Sequence, residues 1–212
     1  MDLKAHDPHS AAEFLTHVLG WRFAVDENDW RRATKIYADG EPIGGVSDLS
    51  DPVYPPGTPA HLAHYLAVDD VDRRTEAATG RGARLVVPPF DAGDQGRMAT
   101  LLDPFGAAVS FWQARTFSGW TEPRPMVLGC ADPDGARRFY RDVLGAEPHL
   151  AEFAAGGPPG WRLTVAVDDL PAAVARAGDR FHDGLLHTPE GPVLGLAARQ
   201  PGSATVRSTS IS

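Results

Sequence analysis

The chain has a single cysteine, few basic residues and no long hydrophobic run. Cys130 is the one cysteine among 212 residues, which excludes an internal disulfide framework and any CxxC metal site. Lysine and arginine total 20 against 28 aspartates and glutamates, and the net charge of −8 argues against nucleic acid, whose phosphates require clustered basic side chains. No apolar run could span a bilayer, and the N-terminus lacks a signal-peptide pattern. We therefore expect a cytoplasmic protein that binds neither nucleic acid nor membrane.

The stretch Ala60–Gln113 contains the unit from which the chain is built. Alternating residues over His61–Val68 predict one continuous strand. Asp69 or Asp70 can then cap a helix that ends at Gly80. Three further strand-like runs follow, at Ala83–Val87, Arg97–Leu102 and Ala107–Gln113. The order is therefore a strand, a helix and three strands.

The first fifty residues show the same order. Asp7 is a helix N-cap with Pro8 at the first helical position, and Gly20 is suited to end the helix. The strands that follow are predicted at Trp21–Asp26, Ala33–Ala38 and Pro42–Asp48, with a hairpin turn at Asp39-Gly40. A proline-rich connector, Asp51–Pro59, separates the two units.

The second half of the chain repeats the first. Eight residues lie a constant 125 positions after their counterparts in the first helix, namely Asp132, Pro133, Ala136, Phe139, Tyr140, Val143, Leu144 and Gly145. The offset falls to 99 at Ala166–Leu170 and to 85 at Pro189–Leu196. The stretch Ala154–Gly160 stands where two strands are expected. The second half is therefore a shortened internal repeat.

Four such units carry short motifs at fixed places: FYRDVLG at Phe139–Gly145, VDDV at Val68–Val71, PP at Pro88-Pro89 and DPFGA at Asp103–Ala107. This pattern resembles the vicinal oxygen chelate superfamily of glyoxalase I, bleomycin-resistance proteins and extradiol dioxygenases, and most closely its tandem, hydroxylase-like actinobacterial branch. The resemblance implies an α+β fold, in which tandem βαβββ modules form curled mixed sheets with helices on the convex side.

The resemblance also implies a division of the chain. Residues 1–115 would form a complete domain of two modules, 1–51 and 60–113, which we call the first copy. Residues 122–200 would form a shortened second copy of two eroded modules, and residues 201–212 a flexible tail. The two missing strands leave sheet edges in the third unit, and exposed edges invite pairing. We expect the first copy to cover these edges or two chains to associate there as a homodimer.

Metal-dependent members of this superfamily place His or Gln in the first strand of a unit and Glu in its last strand. Here these positions fall on residues that are not the usual ligands: Ala63, Ser110, Gly44, Pro125, Arg162 and Gly195. The resemblance therefore implies a protein without a bound metal or other cofactor. His61 and His64 are separated by an odd number of positions and would point to opposite faces of one regular strand. We expect His64 to be a hydrogen-bonded core residue.

The cup of the first copy remains as the candidate site. Cup-facing side chains are predicted at Asp2, Lys4, Tyr65, Ser110 and Trp112, with Arg97 near the rim. Arg162 of the fourth unit would either face the cup too or extend across the interface between the copies. The aromatic rings could stack on a flat ligand that the polar groups orient, and Arg97 could hold a carboxylate or phenolate. Alternatively, Tyr65 and Trp112 only fill the core, and Asp2 and Lys4 only neutralise each other at a frayed terminus.

Two functions that use the cup stay open at this point. The first is a metal-independent glyoxalase- or bleomycin-resistance-like protein that binds a small aromatic or polyketide-like molecule, in secondary metabolism or resistance. The second is a metal-free cyclase, dehydratase or isomerase of natural-product biosynthesis, with Asp2, Tyr65 and His61 as candidates for proton transfer. A metal-dependent lyase or dioxygenase would need the missing ligands. The shortened second copy also fits an accessory protein that has lost catalysis.

Overall fold

The computed structural model describes residues 1–27, 32–52, 54–120, 126–148, 151–156 and 159–199. The tail at 201–212, which we expect to be flexible, and the position of Pro125 lie outside these described residues. Among the helices that are described, none has both the length and the hydropathy that crossing a membrane requires.

The strands and helices follow the order of the repeated unit. In the first half they are β1 (Asp2–Ala5), α1 (Pro8–Leu19), β2 (Arg22–Val25), β3 (Thr34–Ala38), β4 (Glu41–Asp48), β5 (His61–Ala63), β6 (Tyr65–Ala67), α2 (Val71–Thr79), β7 (Arg84–Ala92), β8 (Gly96–Leu102) and β9 (Ala108–Ala114). In the second half they are β10 (Met126–Cys130), α3 (Pro133–Leu144), β11 (Ala151–Ala155), β12 (Gly160–Val167), α4 (Leu170–Ala177), β13 (Phe181–His182), β14 (Leu185–His187) and β15 (Val193–Ala198).

The helix ends follow from their capping residues, as predicted. The Asp7 carboxylate accepts a hydrogen bond from the Ser10 N–H at 3.0 Å, which satisfies one of the free donors at the start of α1. Gly20 ends α1 in the left-handed conformation, with φ +70°, which a residue with a side chain adopts at a cost. Asp132 and Gly145 repeat this arrangement at the two ends of α3.

In the part of the first copy that the structure describes, the strands form two sheets, with orders β2-β3-β4-β1-β5 and β6-β9-β8-β7. β5 pairs antiparallel with β1, whereas β6 pairs parallel with β9, so the chain changes partner between them. The single strand predicted over His61–Val68 is therefore interrupted at His64. The two sheets meet at this residue, and with the helices on one side they form the α+β cup that the resemblance implied.

The described strands of the second copy form one sheet, ordered β11-β10-β12-β15-β14-β13. β11 pairs parallel with β10. It is the one described strand between α3 and β12, whereas the first copy has three strands, β2, β3 and β4, between α1 and β5. In the described sheets β11 lies at an edge, and no strand of the first copy pairs with it. We expected the first copy to cover this edge, but none of its described strands pairs with β11. Association of two chains at the edge stays a prediction.

The helices of the two copies pack against each other, α1 on α4 and α2 on α3. One core cluster consequently joins the first unit to the fourth, and the other joins the second unit to the third. Arginines complete each contact by donating to a carbonyl group near the end of the opposite helix. Arg176 reaches Val18 O at 2.9 Å, and Arg74 reaches Val143 O at 3.0 Å. Both bonds satisfy carbonyl groups that lack a partner within their own helix.

Candidate functional site

A cavity of about 540 Å³ lies in the cup of the first copy. β1, β3 and β4 form one side of it, β6, β8 and β9 form the other, and the chain that follows β9 crosses it. Its lining is mainly apolar and aromatic. The lining residues include Met1, Asp2, Lys35, Ile43, Val46, Ser47, His64, Tyr65, Met98, Trp112, Phe117, Trp120, Met126 and Leu163. Met126 and Leu163 belong to the second copy, so both halves of the chain contribute to one cavity.

Four aromatic rings form a continuous wall of this cavity. Tyr65 and Trp112 meet edge to face, with their ring centroids 6.3 Å apart. Phe117 lies 6.0 Å from Trp112 and 5.2 Å from Trp120, again edge to face. The Lys35 ammonium group lies 5.5 Å from the centroid of the Trp120 ring. Tyr65 and Trp112 therefore line the cup, as predicted, and the four half-buried rings offer surface to a ligand.

Trp112 is held in place by its neighbours. Its indole Nε1 donates a hydrogen bond to Phe117 O at 3.2 Å. A side chain at Gly96 would place its Cβ 2.5 Å from Trp112 Cζ2 and 2.6 Å from Gln113 O, closer than atoms can approach. Because Gly96 has no Cβ, the indole ring can lie in contact with β8 at this residue.

Phe117 and Trp120 were not predicted as site residues, because they lie in the connection between the two copies. The chain after β9 is bound to the turn between β7 and β8. Phe117 N donates to Gln95 O at 3.2 Å, and the Thr116 hydroxyl group donates to Asp94 O at 2.9 Å. These bonds bring both rings over the cup. The sequence did contain one indication of their role. Two large aromatic residues lie in a connecting segment, and loops often carry binding residues.

Asp2 lines the cavity and forms an ion pair with Lys4, which was predicted to face the cup but does not line the cavity. Lys4 Nζ donates to Asp2 Oδ2 at 2.8 Å and to the Tyr54 hydroxyl group at 3.2 Å, and Ser47 Oγ donates to Asp2 at 2.9 Å. Burial lowers the pKa of Lys4, but the Asp2 carboxylate outweighs burial and leaves it above its ordinary value. Burial and Asp2 raise the pKa of Tyr65 to about 12. Asp2 and Lys4 do neutralise each other, as one of the two interpretations expected. The terminus is not frayed, however, because β1 is hydrogen-bonded to β4 on one side and to β5 on the other.

His64 lies at the base of the cavity, where β5 ends and β6 begins. Its side chain is 5% exposed, as expected for a core residue. Burial lowers its pKa to about 3, and a hydrogen bond to the backbone of Trp161 acts in the opposite direction. The second ring nitrogen, Nε2, has no hydrogen-bond partner among the described residues. His64 is therefore hydrogen-bonded, as expected, through one ring nitrogen, while its other ring nitrogen, Nε2, is unpaired among the described residues.

Ser110, His61 and Arg162, like Lys4, do not line the cavity. Ser110 is buried, and its hydroxyl group bonds Thr100 Oγ1 at 2.8 Å. His61 Nδ1 bonds Pro59 O at 2.8 Å. Arg162 lies on the face of β12 opposite the buried Trp161 and Leu163.

Arg97 does not lie at the rim of the cup, where it was expected. Its guanidinium group pairs with Asp72 of α2 at 2.7 Å and with Asp91 at 3.0 Å. The physical reason is the alternation of side chains along β8. Met98 faces the cavity, so its neighbour Arg97 points to the helix side.

Comparison with known proteins places the chain in a family. Residues 2–111 match the model of the Glyoxalase/Bleomycin resistance protein/Dioxygenase superfamily. The chain is 31% identical over 210 residues to "Putative glyoxylase CFP32" of Mycobacterium tuberculosis (strain CDC 1551 / Oshkosh), covering 84% of this chain and 79% of that protein. It is 27% identical over 221 residues to "Anthracycline biosynthesis protein DnrV" of Streptomyces peucetius, covering 83% and 78%. The chain therefore belongs to this superfamily.

Solved structures share its fold. Homoprotocatechuate 2,3-dioxygenase from Brevibacterium fuscum superposes with a TM-score of 0.61 at 13% identity, covering 94% of this chain and 79% of that one. The Mn(II)-bound glyoxalase from Novosphingobium aromaticivorans gives a TM-score of 0.56 at 16% identity, covering 92% and 79%. At these identities the similarity concerns the architecture alone.

The side chains in this cup do not fit the metal that such a fold can carry. Within the described ranges, no three His, Cys, Asp or Glu side chains are grouped so as to hold a metal ion. Asp2 and His64 are the acidic and histidine residues that line the cavity, and Asp2 is engaged by Lys4 and Ser47. Ala63, opposite Asp2 on β5, has no donor atom in its side chain. Pro125 lies outside the described residues.

Proposed function

We propose that this protein binds a small aromatic or polyketide-like molecule in the cup of the first copy, without a metal, as a protein of secondary metabolism or resistance. The observation that carries the proposal is the wall of four rings around a cavity of about 540 Å³. This volume lies in the range of cavities that enclose drug-sized ligands. Rings in edge-to-face contact leave faces on which a flat, fused ring system can stack.

The relatives support a role in secondary metabolism. In addition to the Streptomyces peucetius protein, "Anthracycline biosynthesis protein DauV" of Streptomyces sp. (strain C5) is 26% identical over 238 residues, covering 90% of this chain and 85% of that protein. Anthracyclines contain flat fused rings, which is the shape that an aromatic wall accommodates. The names of these relatives and the lining of the cavity therefore point to the same class of molecule.

The ionisable groups favour binding over proton transfer. A general acid or base works best when its pKa lies near the working pH. In the cavity, the pKa of His64 is lowered to about 3 and that of Tyr65 is raised to about 12, and Asp2 is occupied by Lys4 and Ser47. His61 lies outside the lining. These observations support a binding protein rather than a metal-free cyclase, dehydratase or isomerase.

Calorimetric titration with emodin, a flat trihydroxylated anthraquinone, tests the proposal. We expect saturable binding with one molecule per chain, and a Trp112→Leu variant with affinity weaker by about tenfold or more. Phe14→Leu serves as the matched control, because it removes a ring that packs on the helix side and does not line the cavity. The control should bind emodin like the wild type. Absence of binding, or equal losses in both variants, would overturn the proposal.

A further inference from the structure

We propose that His64 is the polar anchor of this cavity and that its Nε2 atom accepts a hydrogen bond from a hydroxyl group of the bound molecule. The inference rests on the proposed function and adds a chemical requirement to it. The ligand should be a hydroxylated ring system with at least one free O–H group that can reach the base of the cup, rather than a fully alkylated one.

The position of His64 provides the first argument. Four buried side-chain atoms lack a hydrogen-bond partner in the described part of the chain, and they belong to His64, Thr75, His187 and Thr188. Of these four residues, His64 alone lines the cavity. Leaving a buried polar atom unpaired is unfavourable, so native structures nearly always satisfy such atoms. A ligand that pairs with Nε2 would recover this cost.

The chemical state of the ring provides the second argument. The hydrogen bond to the Trp161 backbone raises the pKa of His64, as a carbonyl acceptor does, so the nitrogen that makes this bond is the donor. Because Nε2 is the unpaired nitrogen, the donor is Nδ1–H. In a neutral imidazole the other nitrogen carries a lone pair and can only accept. Burial keeps the ring neutral near pH 7.

The surroundings of His64 provide the third argument. Met126 and Leu163, which lie opposite each other on β10 and β12, line the same cavity as His64. Neither side chain can donate a hydrogen bond to Nε2. The Met1 ammonium group also lines the cavity and acts on the charge of the ring, but it donates its hydrogen bond to Ile43 O, at 3.4 Å. The unpaired Nε2 acceptor therefore pairs with an O–H donor, and it discriminates against an ether, which cannot donate. The specificity that we infer is therefore for a phenol or alcohol.

Two variants separate the two hydrogen bonds of His64. His64→Asn retains an N–H near the position of Nδ1, within reach of Trp161, and removes the group that faces the cavity. His64→Gln places an amide group near the position of Nε2 and gives up the Nδ1 donor. Two probes separate the ligand chemistry, namely emodin and its trimethyl ether, which has no O–H group.

We expect wild-type protein to bind emodin more tightly than the ether. His64→Asn should lose about tenfold in affinity for emodin and retain its affinity for the ether, whereas His64→Gln should retain part of the preference. Wild-type protein that binds neither probe would overturn the proposed function and this inference together. Emodin binding that is unchanged in His64→Asn would overturn this inference alone. Imidazole nitrogen NMR of isotope-labelled wild-type protein needs no variant: emodin should shift the Nε2 resonance, and an unchanged resonance contradicts the anchor.

Discussion

The hydroxyl group of Tyr140, in α3, donates a 2.7 Å hydrogen bond to the buried carboxylate of Asp103, in the turn between β8 and β9. The same carboxylate accepts hydrogen bonds from the backbone N–H groups of Phe105 at 2.9 Å and Ala107 at 2.8 Å. Trp161 Nε1 donates to the Tyr140 oxygen at 3.0 Å. Burial, followed by the Asp103 charge, raises the pKa of Tyr140 well above its ordinary value. One buried network thus connects a turn of the first copy to a helix and a strand of the second.

Replacing Tyr140 by Phe should destabilise the protein, because the substitution leaves both the Asp103 carboxylate and the Trp161 N–H without this partner. We expect the free energy of unfolding to fall by about 1–3 kcal/mol, measured by urea denaturation. Tyr37→Phe is the matched control, since Tyr37 is half-buried and its ring lies 3.9 Å from the Arg22 guanidinium group. If the two variants lose stability equally, the network does not stabilise the contact between the copies.

Gly96→Ala should disturb the wall of rings. The added Cβ would lie 2.5 Å from Trp112 Cζ2, so the indole ring or β8 has to move. We expect a loss of about 1–3 kcal/mol in unfolding free energy, as for other overpacked sites, together with weaker binding of emodin. In Gly45→Ala the Cβ would have its nearest contact at 3.7 Å, with Thr34 O, so this control should lose less stability. Equal stability of the two variants would contradict the described packing of Trp112.

His64 should make stability depend on pH on the acidic side of neutrality. Its pKa is lowered from the ordinary value of 6.5 to about 3 by burial, so the unfolded chain binds a proton that the folded chain does not. Stability from this group is complete above the unfolded pKa and falls as the pH decreases, by roughly 1.4 kcal/mol per pH unit.

The free energy of unfolding, measured in urea at pH values between about 5 and 8, checks this prediction. His64→Asn should show a shallower loss below neutrality, because Asn does not titrate. Burial also lowers the pKa of His187 and that of the Met1 ammonium group, but both groups are present in both proteins. The difference between the proteins therefore reports His64, including its interaction with the Met1 charge. Identical slopes would show that folding does not lower the pKa of His64, and would contradict this prediction.

The features that could be predicted from the sequence are those that depend on neighbouring residues. Asp7 and Gly20 define α1 because a helix N-cap and a left-handed C-terminal residue act within one turn. Tyr65 and Trp112 could be assigned to the cup because side chains alternate along a regular strand. Because the second half of the chain repeats the first, the same capping argument predicts that α3 begins after Asp132.

The features that escaped prediction depend on contacts between distant segments. The break at His64 arises because β5 and β6 pair with different strands, which nothing within residues 61–68 specifies. Phe117 and Trp120 reach the cup through backbone bonds to Asp94 and Gln95. The register of β8 decides that Met98, and not Arg97, faces the cavity, and a shift of one position reverses every assignment.

The central claim is that rings and hydrogen bonds, and not a metal, hold the ligand in this cup. The most direct test is the affinity for emodin before and after exhaustive treatment with a chelator, with the metal content of both samples determined by elemental analysis. We predict the same affinity in both samples, and less than stoichiometric metal before treatment. A stoichiometric transition metal whose removal abolishes emodin binding, and whose return restores it, would contradict this account.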